Sequence, residues 1–210
     1  MKTSDLIEAL SRSDYHEATR APPRWAGAAA IGFVAAVLLI MTWLGPRPDL
    51  GAAIAPTLAK ALFSGLFAAA GLALTARLAR PGRPAGSRWF LIAALLAFSA
   101  LAAGAAFLGT DPMERMRVWT GGGFPWCLVF IPLLAIPAAL ALGWTARRLA
   151  PTRLTLAGMG VGAGAGGVGA MAWAVHCPMD SVAYVTTWYA LAIALCAVVG
   201  ALLGARLLRW

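Results

Sequence analysis

Charge is what this sequence has least of. Only 12% of its 210 residues are Asp, Glu, Lys or Arg, and 61% are apolar. A soluble domain carries roughly 25% charged residues, so no ordinary soluble domain fits the chain. Acids are scarcer than bases, eight against seventeen, and none lies inside an apolar run. The intramembrane carboxylates that mark proton-coupled transporters are therefore missing. Three cysteines, Cys127, Cys177 and Cys196, are too few for a disulfide framework. Neither CxxC nor HxxxH spacing occurs, and no nucleophile with a base, phosphate loop or carboxylate pair stands out. An enzyme is not expected.

What is present is long apolar runs. About 20 apolar residues cross the roughly 30 Å hydrocarbon core as a helix. Six such runs are read near 25–44, 54–74, 89–108, 121–144, 154–175 and 184–203. The fold class is an all-α integral membrane protein, six transmembrane helices in three antiparallel hairpins. A polar tail (1–24) precedes the membrane body (25–205), and a basic end (206–210) follows it. The polar start argues against a cleavable signal peptide. The net charge of +9 is spread over short loops rather than gathered on one face, so direct nucleic-acid binding is not expected. Thirteen Lys or Arg fall in the tail, the second and fourth loops and the C-terminal end, against three in the other loops. By the positive-inside rule both termini are cytoplasmic.

Two stretches carry more than a bilayer requires. Gly121 to Pro137, GGGFPWCLVFIPLLAIP, sets a cysteine beside a tryptophan, with two prolines further along; His176 to Tyr189 reads HCPMDSVAYVTTWY. Cys127 and Cys177 fall on the same, outer side of this topology. With His176 they offer sulfur and nitrogen donors suited to a soft or borderline metal. Cys196 sits mid-span and reads as packing. Lys60, the one charge clearly inside a span, lies near enough to its outer end to snorkel. The glycines of the fifth span read as a close-packing surface, and Tyr184, Trp188 and Tyr189 as an interfacial belt. In the tail, Leu6, Ile7 and Leu10 fall on one helical face beside Asp5 and Glu8. Its acids suit a basic protein partner better than an anionic lipid surface.

The opening MKTSDLIEALSRS and the two cysteine segments, in this order on six spans, resemble the NrsF family of bacterial membrane anti-sigma factors. The resemblance implies a partner, an extracytoplasmic-function sigma factor of the sigma-F type. It implies that the tail from Thr3 to Arg20, with Asp5, Leu6, Ile7, Glu8 and Leu10, sequesters that factor. It further implies that Cys127 and Cys177 sense stress on the periplasmic side. No cofactor is implied beyond a regulatory metal ion at the cysteines. The competing reading is a small transporter or channel-like protein with a soft-metal site.

Overall fold

The computed structural model describes residues 8, 24–79, 88–149 and 151–209. Six helices are long and apolar enough to cross a membrane. They are α1 (Arg24–Trp43), α2 (Ile54–Leu78), α3 (Arg88–Leu108), α5 (Cys127–Arg147), α6 (Leu154–Trp173) and α7 (Val182–Leu207), with the short α4 (Arg115–Thr120) between α3 and α5. Lipid offers no hydrogen bonds, so a spanning segment must satisfy its own backbone, and a helix does so internally. The predicted spans match these helices to within a few residues, except that α2 and α7 each run four residues further and α5 begins at Cys127.

The helix ends follow local chemistry. Gly45, at φ 76°, closes α1 by donating its N–H to the Ile40 carbonyl at 2.8 Å, an end that a left-handed residue makes possible. Pro132 and Pro137 lie within α5, each removing one backbone donor.

α6 is the axis. It is the most buried of the six, and it packs against α7, α2, α5 and α1. Its glycines make this possible: a Cβ on Gly158 would run into the Gly200 carbonyl, and one on Gly71 of α2 into the Gly164 backbone. Backbones approach where side chains are absent. The expected hairpins are only partly the packing units. α6 and α7 pair along their length, but α1 lies on α5 and α2 lies on α6. Small residues on α6 outcompete connectivity in choosing neighbours.

Three connections, 44–53, 109–126 and 174–181, meet at one end of this body. The Arg47 amide donates to the Val175 carbonyl at 3.1 Å, and Trp188 Nε1 donates to the Trp119 carbonyl at 2.7 Å. Glu8 is helical and exposed. The other proposed partner-binding residues, Asp5, Leu6, Ile7 and Leu10, lie outside the described residues.

Candidate functional site: a thiol pair under an ion clamp

The two unusual sequence stretches converge at that end. Cys127 opens α5, and Cys177 follows α6 by four residues. Both are free thiols, 0% and 2% exposed, and they are neighbours in the fold. Tyr184 Oη lies 3.1 Å from Cys127 Sγ. The Met179 amide lies near the Cys177 sulfur. Two further polar groups lie against the sulfurs without a formed hydrogen bond: the Trp173 indole N–H beside Cys127 and the Tyr189 hydroxyl beside Cys177.

α7 reaches this cluster with two tyrosines because its first turns are irregular. Val185–Tyr189 forms one turn of π-helix. Residues five apart on an α-helix are offset by roughly 140° of rotation, whereas a π turn bonds i to i+5 and brings them towards one face. Tyr184 and Tyr189 can thus both be buried at the thiols, 4% and 0% exposed. The interfacial belt expected of them is corrected here: lipid would take the rings alone, but the hydroxyls sit at sulfur.

The loop that bears Cys177 is held by charge. Lys60 Nζ donates to the Cys177 carbonyl at 2.7 Å and the Met179 carbonyl at 3.3 Å, and pairs with Asp180 at 2.8 Å. Arg47 forks between Asp180, at 2.9 and 3.0 Å, and Asp49, at 2.7 and 2.8 Å. Lys60 and Arg47 are 3% and 5% exposed. Snorkelling is therefore not what Lys60 does. Its ammonium turns inward because two carbonyls and a carboxylate await it there, which a buried cation requires.

These partners set the titration of the loop. The Cys127 thiol beside it outweighs burial and, with help from Tyr189 and the Met179 amide, holds the Cys177 thiol below its ordinary range. Burial would push the Asp180 carboxyl up, but hydrogen bonds from Arg47 and Lys60 hold it below the usual carboxylate range. The Arg47 guanidinium does the same to Asp49, and both acids hold Arg47 fully charged. At neutral pH the loop carries paired ions and a thiol poised to ionise, the microenvironment of a reactive cysteine.

Beside the thiols opens a cavity of about 480 Å³ whose walls include Gly121, Trp126, Phe130, Trp173, His176 and Cys177. Phe130 and Trp173 stack with centroids 4.8 Å apart and planes 8° apart. Gly121, at φ 69°, turns the chain into this wall where a Cβ would meet Met179 Sδ at 2.8 Å. His176 was grouped with the thiols as a metal donor. Its Nδ1 lies 2.8 Å from the Gly45 carbonyl, and no group of three His, Cys, Asp or Glu suited to a metal forms among the described residues. Cys196 stands apart on α7, against Gly166.

The structure thus brings Cys127 and Cys177 together as free thiols at one end of the body. The sequence reading missed the clamp and the aromatic donors. One signal was available: a lone lysine in a span, in a chain whose few loop acids include Asp180 three residues after Cys177.

No solved structure matches the chain. Two relatives align over the full length of both chains: the "Anti-sigma-F factor NrsF" of Caulobacter vibrioides, 38% identical over 216 residues, and the "Probable anti-sigma-F factor NrsF" of Azospira oryzae, 37% over 215. The profile of the family described as "NrsF: Negative regulator of sigma F" matches residues 10–210, nearly the whole chain, and the chain belongs to that family.

Proposed function

We propose that this protein is a membrane-bound anti-sigma-F factor whose cytoplasmic tail sequesters a sigma factor of the extracytoplasmic-function type and releases it when Cys127 and Cys177 are oxidised. The anti-sigma part is supported by the family match and by two full-length relatives of that name. The sensing part is supported by one observation above all: two buried free thiols meet at the end that the charge bias puts on the periplasmic, oxidising side. Six apolar helices make the body a multi-pass anchor for the tail.

The clamp supplies a route from sulfur to tail. Joining the sulfurs draws the 174–181 connection towards α5. That connection is tied to the α1–α2 turn through Arg47 and to α2 through Lys60. α2 packs along α6, so the shift reaches α2 as well as α5, α6 and α7. To move a switch from 1:99 to 99:1 takes about 5.5 kcal/mol of differential stabilisation. Oxidation is favoured over metal binding because no third donor stands with the two thiols among the described residues.

The test is co-purification from detergent with the sigma factor. The intact reduced chain should retain the factor, and a chain lacking residues 1–20 should lose it. Oxidation should release it from the intact chain but not from the Cys127→Ser, Cys177→Ser variant. Normal release by that double variant would end the thiol reading, and no retention by the intact chain would end the anti-sigma reading.

A further inference from the structure

The thiols are not open to the outside at large. Cys127 is wholly buried, and Cys177, though 2% exposed, forms part of the wall of the aromatic cavity. Whatever oxidises the pair must enter there and meet Cys177 first. A small peroxide needs no such chamber. The space is about 480 Å³, walled on one side by the Phe130–Trp173 stack, with Trp126 and Phe124 exposed at its margin. An aromatic wall favours a flat aromatic guest laid against it, and a concavity with apolar walls and a small number of polar groups is how small ligands are held.

Two features make the chamber's floor reactive towards such a guest. The Tyr184 hydroxyl and the Met179 N–H already lie near the sulfurs, and the buried Trp173 N–H and Tyr189 hydroxyl beside them have no formed bond. Unpartnered buried donors cost free energy, roughly 1–3 kcal/mol each. They become useful where negative charge develops, as it does on sulfur when a thiol gives up its proton.

We propose that this cavity is a quinone site, in which the ring of a membrane benzoquinone lies against the cavity side of the Phe130–Trp173 stack and oxidises the Cys127–Cys177 pair. Cys177 enters as its thiolate and Cys127 as the thiol: the Cys127 S–H bond breaks and one Sγ–Sγ bond forms, and the two electrons, the Cys127 proton and one proton from water reduce the quinone to its hydroquinone. Cys177 is the sulfur that faces the ring, and Cys127, behind it, closes the disulfide. Trp173 and Tyr189 are positioning residues that steady the charge on sulfur. The inference rests on the thiol-switch reading above and names its oxidant.

The test uses the full-length reduced protein in detergent, without oxygen, mixed with ubiquinone-1 or, separately, hydrogen peroxide. The readouts are hydroquinone formed and free thiols lost. The expected result is one hydroquinone per Cys127–Cys177 disulfide, at a rate that saturates with quinone. The ratio of quinone rate to peroxide rate should fall at least tenfold in Phe130→Leu, and also in Trp126→Leu, whose ring is 58% exposed and bears little on folding. A rate linear in quinone with that ratio unchanged in both variants, or oxidation by peroxide alone, would overturn the quinone site and leave the thiol switch standing. A pair that neither oxidant can join would overturn both.

Discussion

The α6–α7 seam and the clamp around Cys177 solve the same problem, holding helices together in lipid, by opposite means. Along the seam Gly158, Gly162 and Gly166 of α6 meet Gly200, Cys196 and Ile193 of α7, backbone against backbone. No ionisable group other than a thiol enters it. At the clamp, Arg47, Lys60, Asp49 and Asp180 balance two cations against two carboxylates, and two thiols share a cluster of hydroxyls and an indole. Contacts between small residues give a rigid axis with no chemical handle. Ion pairs and thiols give a region whose contacts change with protons and electrons. The difference places the fixed part of the molecule at its axis and the adjustable part at one end.

Breaking the seam should cost most. Gly158→Leu forces a side chain into the Gly200 backbone. Overpacking costs typically 1–3 kcal/mol and more where backbone must move, so a loss above about 3 kcal/mol is expected. Size-exclusion in detergent should show the loss of a monodisperse species. Asp180→Asn should cost less, about 2 kcal/mol, since it strands the buried Lys60 ammonium while Arg47 keeps Asp49, and the carboxylate it removes is 34% exposed. The measurement is the melting temperature. Adding Lys60→Met to that variant should recover part of the loss, because the unpaired ammonium leaves with it.

Chemistry should separate the regions further. With Cys177 held below its ordinary range, its alkylation rate should pass its midpoint and level off at a lower pH than an ordinary thiol's, and fall as pH drops further, because protonation removes the thiolate. An ordinary thiol would still be gaining rate towards pH 9. A Cys177 rate that keeps rising to pH 9 would contradict the donor cluster. Tyr189→Phe should leave stability within about 0.5 kcal/mol, since its hydroxyl has no formed bond to lose. It should nonetheless move that pH midpoint upward. Smallest of all is Cys196→Ala, a half-buried thiol on the seam. A change of about 1 kcal/mol or less is expected, with no effect on the reactivity of the other two thiols.

Much of this was present in the residues themselves. Apolar run length and the needs of a backbone in lipid determined six helices, their bounds to within a few residues, and the glycine-rich character of α6. The segments around Cys127 and Cys177 carried the family resemblance that the full-length relatives bear out. What the sequence did not yield was which side chains meet at distance. Lys60 lies 120 residues from Asp180, and Arg47 lies 130 from Cys177. A lone lysine in a span looks the same whether it snorkels or is paired. Tyr184 and Tyr189 look like a belt until a π turn, which has no sequence signature, swings both to one face. Helices are set by local hydrogen bonding and solvent, so the chain alone determined them. The clamp, the neighbouring thiols and the aromatic cavity depend on how α6 draws α2, α5 and α7 around it, and only that packing decided them.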